Sequence, residues 1–324
     1  MPRGRASDKD CRMRVAVTGG SGFIGRRLVS RLVERGDEVT VLTRRSPDRA
    51  GLPDAVSVHP GDLLETQTDL QGFMDGNDAL YHCAGELRDR SVMEELHVAA
   101  TRRLIEAARG RIRHWVQLSS VGTYGPFMQG VVDENTAEQP SGLYEKTKSA
   151  SDRLVSEAAQ AGAFTCSILR PSIVFGRGMS NQSLCQLARM IKMGVFFFIG
   201  PPGASANYIH VDNVVDALLL CGMRGSATAR VYIVSDHRTI EQFVGAIARK
   251  VNRRVPRIRI PTFCARTVAR LLGGLNGFPL SPSRVDALTS RVIYSCTRIQ
   301  QELGYRHRIS IEEGIRELMR PEQQ

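Results

Sequence analysis

The chain has 324 residues, 42% hydrophobic and 24% charged, which suits one large domain or a core domain with a smaller lobe and excludes a disordered or fibrous protein. A net charge of +11 comes largely from dispersed arginine pairs such as Arg26-Arg27, Arg44-Arg45, Arg102-Arg103 and Arg253-Arg254 with no nucleic-acid motif beside them, so the field suits solvated arginines, phosphate-bearing substrates or an anionic membrane surface rather than nucleic acid. Seven cysteines without a C-x-x-C pair, no secretory h-region behind the basic N-terminus and no apolar run longer than Val195–Ile199 predict a cytoplasmic protein without a transmembrane segment or a metal site.

Residues 1–12 are polar and read as a disordered tail. From Arg14 onward, short β-branched runs alternate with segments of helical spacing. The strands are Val15–Val17, Glu38–Leu42, Val56–Val58, Ala79–His82 and Trp115–Leu118, followed later by Thr165–Leu169 and Arg230–Val234. In the first helix Ile24, Leu28 and Leu32 recur at i, i+4 and i+8, and Gly36 supplies its C-terminal stop. Further helices are predicted near Asn181–Lys192, Asn213–Met223 and Ile240–Val251, and the aromatic run Phe196-Phe197-Phe198 reads as a buried strand. The order βαβα predicts an α/β protein: a Rossmann doubly wound parallel sheet over residues 13–170, with residues 171–324 mainly a smaller α/β substrate lobe from which some segments return to the core.

Directly after the first strand stands Thr18-Gly19-Gly20-Ser21-Gly22-Phe23-Ile24-Gly25. Gly19 permits the tight turn, Gly22 lets backbone N–H groups approach a pyrophosphate at the helix N-terminus, and Gly25 allows close helix–strand contact. Phe23 and Ile24 carry the same turn into the helix, so Gly19, Gly22, Phe23, Ile24 and Gly25 are the expected dinucleotide contacts. The second strand ends at Thr43-Arg44-Arg45 where NAD-preferring proteins place an acid for the ribose 2′-hydroxyl. Arg44 suits a 2′-phosphate, so the cofactor is NADP or NAD, with NADP favoured.

Tyr144 and Lys148 stand four apart on one helix face, after a strand exit at Ser119-Ser120-Val121-Gly122-Thr123-Tyr124-Gly125. A phenol must exchange a proton near neutrality, and an adjacent ammonium is expected to lower its pKa. Tyr144 is then the acid or base, Lys148 its modulator, and Ser120 the holder of the substrate oxygen while the nicotinamide carries hydride. His82, His97, His114 and His210 are scattered without ligand spacing, and His210 reads as structural.

These residues resemble the extended short-chain dehydrogenase/reductase family from Arg14 to about Met319. The resemblance rests on the glycine turn, Gly61-Asp62-Leu63, His82-Cys83-Ala84-Gly85, Ser119-Ser120, Tyr144-x-x-x-Lys148, Leu169-Arg170-Pro171 and Tyr208–Asn213 in the family's order. It implies that Asp62 and Leu63 lie by the adenine, Ala84 and Gly85 by the cofactor ribose, and Ser120, Tyr144 and Lys148 at the catalytic centre, where Tyr144 and Lys148 also bind the cofactor, in a homodimer. Within the family the chain looks most like bacterial nucleotide-sugar epimerases and 4-ketoreductases of surface-polysaccharide synthesis, which makes a nucleotide sugar the expected substrate, with Thr123 and Arg177 as candidate contacts. Three departures count. Val121-Gly122 replaces the Asp-Glu that dehydration needs, and Ile173 and Ala206 replace an asparagine and an arginine that contact the substrate diphosphate in many epimerases. The branches acting on dihydroflavonols and 3β-hydroxysteroids tolerate both replacements and form the alternative expectation, beside a cofactor-binding sensor without turnover.

Overall fold

The computed structural model describes residues 12–45, 51–179, 182–223, 228–272 and 282–320. Residues 1–11 of the expected tail, and the expected helix start at Asn181, lie outside these. The chain divides into two compact units, residues 1–123, 141–170 and 215–232 forming the first and residues 124–140, 171–214 and 233–324 the second.

In the first unit, β1 (Arg14–Thr18), β2 (Glu38–Thr43), β3 (Ser57–Pro60), β4 (Ala79–His82), β5 (His114–Leu118), β7 (Thr165–Pro171) and β11 (Ala229–Val234) form one sheet in the order β11-β7-β5-β4-β1-β2-β3. The pairings of β1 with β2 and β4, β2 with β3, and β5 with β4 and β7 are parallel. The strand order reverses between β1 and β4, which opens a crevice at their carboxyl ends where open α/β sheets bind ligands. Every residue of β4 and β5 is buried, as expected of strands covered on both faces.

Crossover helices α1 (Phe23–Arg35), α2 (Leu70–Met74), α3 (Ala100–Ala108) and α4 (Leu143–Gln160) cover the sheet. α1 buries Leu28, Val29 and Leu32 and stops at Gly36, whose φ of 93° lets its N–H reach back to the Leu32 and Val33 carbonyls. A π-turn, Glu95–Ala99, precedes α3. α6 (Val211–Met223) delivers Gly222, where a Cβ would stand 1.9 Å from the hydroxyl of the fully buried Tyr81.

The second unit holds β8 (Ile173–Phe175), β10 (Ser205–His210) and β12 (Asp236–Thr239) in one small sheet, β9 (Phe198–Ile199) paired with β13 (Arg259–Ile260), and β6 (Gln129–Val132) paired with β14 (Arg291–Tyr294). Its helices are α5 (Ser183–Met193), α7 (Ile240–Lys250), α8 (Thr262–Leu272), α9 (Pro282–Thr289), α10 (Thr297–Leu303) and α11 (Ile311–Leu318). The aromatic run is a buried strand only at its end. Phe198 is buried in β9, whereas Phe196 and Phe197 are half-buried, because two residues of pairing leave the preceding backbone outside the sheet. His210 is buried; its Nδ1 accepts the Asp212 N–H, which leaves Nε2–H to face the Glu317 carboxylate at 3.4 Å.

Gly222→Ala should destabilise the protein by about 1–3 kcal/mol, since the buried Tyr81 ring has no solvent to retreat into. Urea unfolding with an unchanged m-value checks this.

Candidate active site

The glycine turn closes the carboxyl end of β1. Gly19 sits at φ 69°, where a Cβ would meet the Ala84 nitrogen and the Cys83 carbonyl carbon at 2.6 Å, so the turn lies flat against the exit of β4. A Cβ on Gly25 would reach the Gly19 carbonyl oxygen at 2.1 Å, so the first turn of α1 is packed onto the loop itself. Gly22 caps α1 with extended backbone and no side-chain hydrogen bond, and the first turn, which holds Phe23 and Ile24, carries no acid. Its N–H groups and the positive end of the helix dipole are therefore open to an anion, and the residues fit a dinucleotide pyrophosphate.

At the end of β2, the exposed Arg44 guanidinium donates to Asp62 Oδ2 at 3.1 Å, while Asp62 Oδ1 accepts the Leu64 N–H at 3.0 Å. Leu63 is buried, and its carbonyl accepts from Arg103. Arg44, Asp62 and Leu63 thus form one rim, and Ala84 and Gly85 follow β4 beside the glycine turn.

On α4, Tyr144, Lys148 and Asp152 recur at i, i+4 and i+8 and turn one face to the sheet. Asp152 is the anchor. Its Oδ2 accepts from Arg170 Nη2 at 2.9 Å and Nε at 3.1 Å and from the Ser119 hydroxyl at 2.6 Å, and Asp152 and Arg170 are 2% and 3% exposed. Lys148 is buried one turn earlier and donates to the Leu118 carbonyl at 2.5 Å. Ser120, the neighbour of Ser119, accepts the Gly122 N–H at 3.0 Å and acts on the Tyr144 phenol to lower its pKa. Thr123 is fully buried and donates to the Ser120 carbonyl at 3.0 Å, so its hydroxyl shapes the turn under Ser120. Arg177 lies exposed in the second unit.

One expectation is corrected. Burial pushes the Tyr144 phenol up to about 12; the Ser120 hydrogen bond offsets part of this and the Asp152 charge adds to it. Lys148 was expected to depress the phenol. Instead its own pKa is lowered by desolvation, with the Asp152 charge opposing, and its ammonium is engaged by a backbone carbonyl.

A hydroxyl–imidazole belt joins these parts. His97 Nε2 accepts the Glu86 N–H at 2.9 Å, so Nδ1–H donates to Thr147 Oγ1 at 2.8 Å, and the Thr147 hydroxyl donates to the Tyr144 carbonyl at 3.0 Å. The Thr101 hydroxyl donates to the His97 carbonyl, so His82 Nε2–H donates to Thr101 Oγ1 at 3.2 Å and His82 Nδ1 accepts from Thr18 at 2.6 Å. Desolvation first, then the Lys148 charge, lowers His82 to about 3 and His97 to about 4. Both imidazoles are neutral, and each has one nitrogen committed as an acceptor. Asp152 and Thr101 are absent from the sequence reading, and Arg170 and His97 stand in it without a role in the site. The i+4 step from Lys148 to Asp152 was the available signal.

A family model described as "NAD dependent epimerase/dehydratase family" matches residues 15–234. Among curated proteins, the chain is 30% identical to 4-hydroxy-2-methyl-3-oxo-4-farnesyl-3,4-dihydroquinoline-1-oxide ketoreductase of Stigmatella aurantiaca, over 94% of this chain and 95% of the relative. It is 28% identical to 3 beta-hydroxysteroid dehydrogenase/Delta 5-->4-isomerase of Mycobacterium tuberculosis, over 94% and 89% of the two chains. Among solved structures, UDP-glucose 4-epimerase of Thermotoga maritima, crystallised with UDP-glucose, superposes with a TM-score of 0.72 at 19% identity over 94% of this chain and 97% of that one, a likeness of fold.

Two outcomes are expected. Asp152→Ala leaves the Arg170 and Lys148 charges buried without a counter-charge and should cost about 3–5 kcal/mol in chemical denaturation. Stability should also fall on acidification. The folded His82 and His97 bind protons only near pH 3 and 4, whereas an unfolded histidine does so near about pH 6.5. The unfolded state therefore binds more protons in this window, and between about pH 6.5 and 3 the slope reaches about 1.4 kcal/mol per pH unit from His82 alone; the stabilisation is fully present above about pH 6.5 and lost as pH falls toward 3. Urea midpoints across that range, with His82→Asn flattening the curve, check the sign.

Proposed function

The chain belongs to the NAD dependent epimerase/dehydratase family, the extended short-chain dehydrogenase/reductase type, and is an enzyme using a nicotinamide dinucleotide; from that premise we propose that it reduces a ring ketone of a lipophilic substrate, or oxidises the corresponding alcohol. The observation that carries the reading is the buried Lys148 one turn beyond Tyr144 on α4, held on the Leu118 carbonyl, with Ser120 acting on the Tyr144 phenol, in the same unit as the glycine turn.

When bound, the dinucleotide supplies or accepts the hydride. The glycine turn, Gly19, Gly22, Phe23, Ile24 and Gly25, would hold its pyrophosphate, Asp62 and Leu63 its adenine, and Ala84 and Gly85 its ribose. Arg44, oriented by Asp62, suits a 2′-phosphate, which favours NADP over NAD. The Ser120 hydroxyl holds the substrate oxygen, and Tyr144 exchanges the proton with it. A phenol pushed up to about 12 is protonated at neutral pH and can begin as the proton donor that ketone reduction requires. Lys148, lowered by burial and fixed on the Leu118 carbonyl, holds positive charge beneath the tyrosine turn as charge develops there.

The substrate class rests on what two positions lack. Ile173 is exposed and Ala206 buried, and neither supplies the polar or charged side chain that the resembling epimerases use on a diphosphate. The curated relatives are named for a farnesyl dihydroquinoline oxide and a 3β-hydroxysteroid, both polycyclic lipophiles. A nucleotide sugar would need other phosphate ligands, with Arg177 the candidate.

Tyr144→Phe should lower kcat by about 10²–10⁴-fold while weakening NADPH binding by less than about tenfold, measured by stopped-flow absorbance and fluorescence titration. Arg44→Asp should weaken NADPH binding by about tenfold or more and spare NADH. NADPH oxidation over a panel of steroid and quinolone ketones tests the substrate class; turnover of UDP-sugars in their place would overturn it.

A further inference from the structure

The arginine pairs are dispersed, but the net charge is concentrated in one segment, because the acids that balance the cations elsewhere are missing there. Residues 242–285 carry nine cations, Arg249, Lys250, Arg253, Arg254, Arg257, Arg259, Arg266, Arg270 and Arg284, and no aspartate or glutamate, which leaves a net +2 for the rest of the chain. Of these, Arg259 is held by Glu241 at 2.7 Å and Arg266 by Asp286 at 2.6 Å. Arg253, Arg254, Arg257 and Arg270 are exposed, and no carboxylate pairs with them among the described residues.

Large apolar side chains stand in water on the same segment. Ile258 is 66% exposed, Phe263 71% and Leu271 76%. Helix α8 turns Ala265 and Ala269 inward onto Ile199 and Val285. Its opposite side presents Phe263 and Leu271 with Arg266 and Arg270 between them, apolar tips flanked by guanidinium groups. The strand pair β9–β13 joins this helix to a groove of about 860 Å³, lined by the apolar Ile191, Phe196, Val255 and Ile258 and by Arg253, Arg254 and Arg257.

We propose that this face of the second unit, centred on Arg253, Arg254, Arg257, Phe263 and Leu271, docks on an anionic lipid bilayer, with guanidinium groups at the phosphate level and the apolar tips below it. Charge and apolarity together select the occupant. A second copy of the same face would bring like charges together, and a nucleic acid would neutralise the arginines but leave Phe263, Leu271 and Ile258 in water. An anionic bilayer takes both. Docking is peripheral, since no helix among the described residues is long and apolar enough to cross a membrane. The inference depends on the surface alone and stands independently of the substrate class.

The test is co-sedimentation of the full chain with vesicles of phosphatidylcholine alone or with about 30 mol% phosphatidylglycerol. The variants are the triple Arg253→Gln, Arg254→Gln, Arg257→Gln and the double Phe263→Ser, Leu271→Ser, all at exposed positions, with thermal melting as the check on folding. Expected are at least about tenfold stronger partitioning onto the phosphatidylglycerol vesicles, release at about 0.5 M salt, and losses of about 30-fold in the triple variant and about tenfold in the double. Equal or absent binding to the two vesicle types overturns the proposal. So does a double variant that binds as the unchanged protein does while the triple variant loses binding to vesicles and to an RNA oligomer alike, which would assign the surface to a soluble polyanion.

Discussion

The arrangement of the candidate site depends on one desolvated carboxylate. Asp152 has almost no contact with water, and a carboxylate in that position is tolerated only because Arg170 and Ser119 place three donors on one of its oxygens and Lys148 adds a second positive charge. These partners come from β5, β7 and α4 itself, so satisfying Asp152 fixes the helix in height and rotation against the carboxyl edge of the sheet. Lys148 and Tyr144 lie one and two turns earlier on the same face and are indexed by that anchor. The reactive phenol then meets Ser120 because the adjacent serine has been drawn the other way.

A second constraint is the neutrality of the buried imidazoles. A parallel sheet covered on both faces excludes water, so His82 and His97 lose their charge and must satisfy each nitrogen with a fixed partner. The resulting chain of bonds runs from Thr18, which leads into the glycine turn, through His82 and Thr101 to the π-turn that carries His97, and on through Thr147 to the backbone of Tyr144. The loop after β4, entered through the Glu86 N–H, is tied to the same chain. The elements expected to hold cofactor and the helix expected to hold the proton donor therefore share one hydrogen-bond network. A π-turn at its centre sets the His97 ring where a regular helical turn would carry it elsewhere.

The two units divide the physical tasks. The first places its buried polar groups in a hydrogen-bonded site in which Asp152 Oδ2 and both nitrogens of His82 and His97 have fixed partners. The second holds the segment 242–285, which is free of acids, carries +9 of the chain's net +11 and bears uncovered apolar side chains. Such a surface is costly to leave in water on a monomer, whereas the charge balance of the rest of the chain is close to neutral.

Much of this was legible in the sequence because it is local. The glycine spacing, the β-branched runs of the first five strands, the stop at Gly36 and the i, i+4 pair Tyr144–Lys148 are set by backbone sterics and helical period within a few residues, and the family resemblance follows from their order. Asp152 obeys the same period but is charged, and a charged residue on a helix reads as solvated until its partner is known; Arg170 lies beyond the helix, and only the stacking of β5 and β7 brings it in. The pairing of Gln129–Val132 with Arg291–Tyr294 joins segments far apart in the chain and leaves no local trace. The acid–base character of Tyr144 was likewise decided by tertiary structure. Proximity to lysine, which sequence can predict, is expected to lower a phenol's pKa, whereas burial, which depends on everything packed around it, raises it, and for Tyr144 burial is the largest cause while Lys148 is not among the causes.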